Sequence, residues 1–280
     1  MQSIDSKEKI RNSISPLNIQ RKKASEDIQT GLAMWRVWLL LSWQDIKIRY
    51  KRSTLGPFWL TISMAITIYS MGFLYGVLLK QDLNTYYPFL AAGLLSWGLI
   101  STILCESTSI FIESEKFLKQ MKQPYSLFIF RTMTRNFIIF FHNIVVFIPI
   151  ALIFHVKINL NSLYFFLALF VIWINGISYS CILAILGARY RDLSQLVTSL
   201  VQVIFFLTPI LWSAKLLPEN LQFIVQYNPF ADLIELMRNS LLGLPTDSFS
   251  LIIILAITAL GISIAFPLFI KYRSRIVYWL

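Results

Sequence analysis

From residue 58 to the end of the chain, apolar stretches of about 20 residues alternate with shorter polar connectors. That is the length a helix needs to cross a hydrocarbon core roughly 30 Å thick. Six such stretches stand near 58–79, 87–112, 136–154, 162–187, 193–212 and 249–270. The pattern predicts an all-α integral membrane protein with six transmembrane helices, and six crossings put both termini on one side. Ahead of the first span the pattern changes. Trp35, Leu39, Trp43, Ile46 and Tyr50 recur at helical spacing and form one apolar stripe, flanked by Gln44, Lys47 and Lys51 on one side and by Asp45, Arg49 and Arg52 on another. This predicts an amphipathic helix resting at a membrane surface with its cations toward anionic headgroups. Gly56-Pro57 then breaks the path and lets the first span start at a new angle.

Composition agrees: the chain is 56% hydrophobic and 14% charged, against roughly a quarter charged in soluble domains. The net charge of +11 would suit a nucleic-acid partner, but the cations gather in connectors on one side of the spans. Of 25 Lys and Arg, only Lys80, Lys157, Lys215 and Arg238 fall on the other side. This asymmetry predicts cytoplasmic termini, membrane lipids as the partner of the charge, and no nucleic acid. Residues 1–30 are polar and lack the apolar core of a signal peptide, which predicts a flexible cytoplasmic tail ahead of one transmembrane domain over 31–280. Cys105 and Cys181 both lie inside apolar spans and suggest neither disulfide nor metal site. No phosphate-binding glycine motif occurs, so no nucleotide or other cofactor is expected on this chain.

Some polar residues stand out. Glu106 falls in the inner third of the second span, where a carboxylate either serves transport or pairs with a neighbouring helix. His142 reads as a packed histidine. Residues 113–125 read as a short helix ended near Pro124, with Glu113 and Glu115 at its start, Lys119 and Lys122 near its end, and a small apolar face of Phe117, Leu118 and Met121. Such a helix is either a solvated connector or a docking element for a cytoplasmic partner. Between the last two spans, two apolar helices too short to cross, separated by Asn228-Pro229, predict a re-entrant hairpin. Asp232, Glu235 and Arg238 recur at three-residue steps there and read as a wet face with a weak Glu235–Arg238 pair.

The run Gln44-Asp45-Ile46-Lys47-Ile48-Arg49-Tyr50-Lys51-Arg52-Ser53-Thr54-Leu55-Gly56-Pro57-Phe58-Trp59 resembles the leading segment of the permease subunits of bacterial polysaccharide ABC exporters, which move O-antigen, capsule or teichoic-acid chains. Arg189-Tyr190-Arg191-Asp192 resembles that family's short inner loop. Thr208-Pro209-Ile210, Leu217-Pro218 and Tyr227-Asn228-Pro229-Phe230 resemble its fifth span and outer hairpin. The similarity runs from about residue 32 onward in the same order. It implies a homodimer in the bacterial inner membrane, bound to two copies of an ATP-binding cassette subunit that carries the ATP and Mg. It also implies a coupling helix with Glu115, Lys116, Phe117, Lys119, Met121 and Lys122 facing that subunit. An interface helix with Trp35, Trp38, Arg49, Lys51 and Arg52 would lie where lipid-linked polysaccharide gains access. Arg189, Arg191 and Asp192 would form an inner gate. The first and fifth spans would line the channel, and aromatics on them suit the C–H faces of sugars, which nominates Tyr69, Phe73, Phe205 and Phe206.

Two other function classes stay open. A permease for another lipid or a drug shares the six-span plan. A membrane-embedded subunit of glycan or lipid synthesis would need convergent acids, histidines or a metal, and only Glu106 and His142 are on offer.

Overall fold

The computed structural model describes residues 16–280, and helices are the regular structure of that range, with no strand among the described residues. We number the helices α1 (Pro16–Ala33), α2 (Trp35–Arg49), α3 (Phe58–Leu78), α4 (Leu83–Ser107), α5 (Ile110–Glu113), α6 (Glu115–Gln120), α7 (Tyr125–Asn143), α8 (Phe147–Ile153), α9 (Tyr164–Arg189), α10 (Leu193–Leu207), α11 (Phe223–Gln226), α12 (Pro229–Leu242), α13 (Ser248–Tyr272) and α14 (Ile276–Trp279). Short 3₁₀ turns join several of them, so that α7 and α8 make one apolar rod over Tyr125–Ile153.

Five helical stretches are long and apolar enough to cross a membrane: Phe58–Leu78, Leu83–Ser107, Tyr125–Ile153, Leu160–Arg189 and Ser248–Trp279. The fifth predicted span differs. The apolar run 193–212 is helical only over the 15 residues of α10, about 22 Å at 1.5 Å per residue, and turns extended at Thr208 (φ −96°, ψ 137°). Pro209 is the cause, because a proline pushes the residue before it out of the helical region. The predicted hairpin also differs in its first arm, which is a series of 3₁₀ turns and the four-residue α11. Its second arm, α12, is well specified. The Asn228 side chain accepts the Phe230 N–H, Pro229 opens the first turn, and Gly243 closes the helix in the left-handed conformation (φ 68°).

Burial ranks the elements. Two thirds of the α4 span is buried (67%), against 17% for α3 and for α13. Thus α4 is the centre of the bundle, with α3, α7, α9, α10 and α12 packed on it, while α3 and α13 stand at the rim. α3 begins where predicted, since Gly56 takes a positive φ (57°) that only glycine adopts without strain and Pro57 fixes the next turn.

The expectation of a flexible tail over residues 1–30 meets a different arrangement from Pro16 on; residues 1–15 lie outside the described residues. α1 packs on α7 and α13, and one buried carboxylate fastens it. Asp27, 3% exposed, accepts the Tyr125 N–H (3.1 Å), the Ser126 N–H (3.0 Å) and Arg273 Nε–H (2.8 Å). α7 has no capping side chain of its own, so a residue about a hundred positions upstream satisfies the orphan donors of its first turn.

Candidate functional site

One face of the bundle is built around α6. Leu118 is buried and anchors it, and Phe117 leans on Phe128 (ring centroids 6.3 Å apart) while staying half open. Lys116, Lys119, Met121 and Lys122 are exposed beside it. Lys119 donates to Glu115 at 2.6 Å across one turn. That hydrogen bond and the charge of Lys119, with lesser contributions from Arg191 and Lys116, hold the Glu115 carboxyl below its ordinary range. The C-terminal helix α14 packs against α6. Arg189 stacks over the rings of Tyr190 (5.2 Å) and Trp279 (5.6 Å), tying the end of α9 to the C-terminal turn. The residues around Asp192, Tyr190 and Arg191 included, are exposed. The structure thus brings the predicted docking residues and the Arg189–Asp192 loop onto one surface.

On the adjoining side a charge cluster joins three helices. Arg131 and Arg135, one turn apart on α7, both bond Asp45 of α2, Arg131 through Nε (2.8 Å) and Arg135 through Nη1 (3.0 Å). Arg135 also reaches Glu106 at the end of α4 (2.9 Å), where Asn136 donates at 2.8 Å and Arg49 approaches at 3.4 Å. Glu106 is therefore a paired structural carboxylate, the second of the two readings that the sequence left open. The sequence reading counted Arg131 and Arg135 as loop cations. Their i,i+4 spacing was the available signal, but their partners sit 86 and 29 residues away.

α2 packs differently from the predicted stripe. Its inward residues are Trp38, Ser42 and Ile46: Trp38 meets Phe130 (6.1 Å), and the Ser42 hydroxyl donates to Arg131 O (2.7 Å). Trp35, Leu39 and Trp43 remain exposed, as do Arg49, Lys51 and Arg52. Arg36 and Lys47 sit over the rings of Trp35 and Trp43. The helix thus keeps one side for the bundle and presents a second aromatic side outward. The His142 ring bonds Ile138 O of its own helix, and its carbonyl accepts the Thr61 hydroxyl of α3 (3.1 Å).

Two grooves flank α4. One, of about 570 Å³, lies between α3 and α4 and is bordered by Tyr50, Trp59, Ser63, Thr67 and Asn143. The other, of about 600 Å³, lies between α4 and α10 and is bordered by Trp97, Ser101, Thr102, Thr198, Gln202 and the Phe205–Phe206 pair. Hydroxyls, an amide and aromatic rings share these walls. Of the nominated aromatics, Phe205 packs on Trp97 (5.8 Å) and Phe206 is open to the surroundings. Tyr69 and Phe73 border neither groove; they stand exposed on α3, where Tyr69 leans on Tyr87 (6.4 Å).

The reading of Asp232, Glu235 and Arg238 as a wet face is corrected. Asp232 and Arg238 are buried, and no Glu235–Arg238 ion pair forms among the described residues. Arg238 instead donates to Pro209 O and lies over the Phe89 ring. Glu235 stays exposed as expected, while α12 packs on α4, α9 and α13 and takes Asp232 and Arg238 into the bundle.

The pattern of the ABC-2 type transporter family matches residues 36–242. Two O-antigen export system permease proteins RfbA of Klebsiella pneumoniae are 26% and 25% identical to the chain, each over 82% of it and 90% of their own length. A protein of the same description from Myxococcus xanthus is 22% identical over 60% of the chain and 65% of its own length. A match spanning α2 to α12, on a bundle with several helices long and apolar enough to cross a membrane, fixes the class: this multi-pass membrane protein belongs to the ABC-2 type transporter family, whose members are transporter membrane subunits and not enzymes.

Proposed function

We propose that the chain is the membrane-spanning subunit of an ATP-driven exporter that carries lipid-linked polysaccharide, most simply O-antigen, out of the cytoplasm. The observation that carries this reading is the face formed by α3, α4 and α10. It is left uncovered within one chain, and its two grooves mix aromatic rings with Ser63, Thr67, Ser101, Thr102, Thr198 and Gln202. Sugars ask for that mixture: rings for their C–H faces and hydrogen-bonding groups for their hydroxyls. The names of the Klebsiella relatives point to the same cargo. A second copy meeting this face would close a channel lined by Phe205 and Phe206, with Tyr69 and Phe73 nearer its outer end.

In this reading the domain over 31–280 lies in the bacterial inner membrane with both termini in the cytoplasm. α10 and the extended segment after it make the fifth crossing, and α11–α12 turn back as a re-entrant cap. α2 rests on the inner leaflet with Trp35 and Trp43 in the lipid and Arg49, Lys51 and Arg52 near headgroups and the lipid-linked substrate. α6 docks on an ATP-binding cassette subunit, one per permease copy, through Lys116, Phe117, Lys119, Met121 and Lys122. Arg189, Arg191 and Asp192 stand beside it as the inner gate. Mg and ATP belong to that partner, and this chain binds no cofactor.

The test is purification of the chain from its host in mild detergent and identification of what accompanies it in equal amount. A soluble protein with a phosphate-binding loop is the expected companion. Its absence, with the permease folded, would turn the reading toward a subunit of membrane glycan synthesis.

A further inference from the structure

We propose that Arg238 is a positioning residue that pins the broken end of α10 and thereby sets the outer closure of the transport path. The proposal rests on the reading of the 208–242 region as the outer cap.

α10 stops at Leu207, and the next residues run extended through Thr208 and Pro209. Outside a helix their carbonyls need other donors, most of all in a membrane. Three side chains from α4 and α12 fasten this segment. Tyr86 of α4 donates its hydroxyl to Leu211 O (2.6 Å). Asn228, at the start of α12, donates to the Thr208 hydroxyl (2.9 Å). Arg238 of α12 donates to Pro209 O (2.8 Å).

The arginine is the unusual member. It is 5% exposed and has no carboxylate partner among the described residues. Among the described residues its direct contacts are a carbonyl oxygen and the face of Phe89, 3.8 Å away, and its Nε has no partner. A leucine would pack there at far less desolvation cost, so holding the bundle together does not require this cation. What the guanidinium adds is a strong, directed hold on one carbonyl of the break. α4 makes room for it: a Cβ on Gly93 would fall 2.5 Å from Arg238 Nη2 and 3.3 Å from Ile210 O. A small shift of α12 along α4 would break the Pro209 contact and leave Tyr86 as the remaining hold on residues 208–213. This makes the contact a latch between the cap and the fifth crossing.

The test uses the whole transporter, permease with its ATPase, in intact cells. The native Cys105 and Cys181 are replaced by serine, and reporters Ile210→Cys and, separately, Tyr227→Cys are probed with a membrane-impermeant maleimide. Ile210 is fully buried and Tyr227 is exposed at the hairpin. Arg238→Met should raise labelling of the Ile210→Cys reporter about tenfold or more, the scale of one lost charge-assisted hydrogen bond, and lower export comparably, with the ATPase still co-purifying. Arg238→Lys, which keeps a cationic donor, should recover part of both. Unchanged labelling of that reporter in Arg238→Met overturns the proposal, whether or not export falls. A Tyr227→Cys reporter that labels only from the cytoplasmic side overturns the cap reading and the proposal with it. Should Arg238→Met not accumulate, Tyr86→Phe removes one hydroxyl at constant volume and should raise the same labelling a few-fold; no rise there counts against the latch equally.

Discussion

Arg135 lies 3.0 Å from Asp45 and by that contact joins α7 to the surface helix α2, while its other amino group holds Glu106 at the end of α4. Both sites are mostly enclosed, with side-chain exposures of 8% for Arg135 and 15% for Asp45. The segment 108–124, which contains α5 and α6, leaves α4 just after Glu106 and returns into α7 ahead of Arg131. The cluster therefore stands at the base of the docking element. Arg135→Met should remove about 2–3 kcal/mol of stability, because two carboxylates lose a partner in a poorly hydrated site, although Arg131 and Asn136 remain. Thermal unfolding in detergent would measure it, and an unchanged midpoint would reduce the cluster to surface decoration.

Asp27 predicts a second effect. Asp27→Ala strips the first turn of α7 of its cap and leaves Arg273 unpaired. The expected loss is about 2 kcal/mol, with earlier proteolysis between α1 and α2. Asp27→Asn keeps one acceptor oxygen and should lose roughly half as much.

Gly187 marks the closest helix approach near the docking element. A Cβ there would sit 1.9 Å from Thr108 O and 2.8 Å from its carbonyl carbon. These are backbone atoms, which cannot swing aside. Gly187→Ala should cost about 2–3 kcal/mol by overpacking and shift the α4–α5 junction. Gly56→Ala makes a useful contrast, since nothing lies within 4 Å of that position and only its positive φ resists the change, for about 1 kcal/mol. Melting of the two variants side by side should rank them in that order.

For the docking surface, Lys122→Glu should leave the melting midpoint unchanged, because the side chain is exposed, and should weaken retention of the ATPase several-fold. Its pH behaviour has a defined sign. The hydrogen bond and charge of Lys119 hold the Glu115 carboxyl below the ordinary carboxylate range. A lowered folded-state value means that the Glu115–Lys119 contact is complete above the ordinary carboxylate range and is lost as pH falls through the lowered value. Retention of the partner should be flat around neutrality and decline only in acid below that range. A decline already at pH 6–7 would point to a different titrating group.

Much of the bundle was legible from the chain. Gly56-Pro57 marks the start of α3, and Asn228-Pro229 together with Gly243 bounds α12, because these residues act on the backbone locally. The break after Leu207 was less visible. The apolar run continues to Trp212, and hydropathy does not register that Pro209 denies Thr208 a helical conformation. Long-range pairing was illegible. Nothing near Asp27 announces that it caps a helix starting at Tyr125, and a polar segment such as 16–30 looks like a tail until that contact is seen. Arg131 and Arg135 likewise looked like ordinary inner-side cations, since Asp45 and Glu106 reach them only through the packing of α2 and α4. Arg238 was misjudged because the spacing of three charges identifies a shared face without saying what covers it. The groove residues Trp97, Ser101, Thr102 and Gln202 carry no local motif; they become a site only when α10 is laid beside α4.

The most direct measurement is the fate of newly made polysaccharide in the host after deletion of this chain, followed by pulse labelling and separation of surface from cytoplasmic-side material. The account predicts that surface polysaccharide disappears while full-length lipid-linked polysaccharide builds up on the inner side, and that a plasmid copy reverses both. Surface polysaccharide at the normal level, or loss of the polymer from both sides, would contradict it.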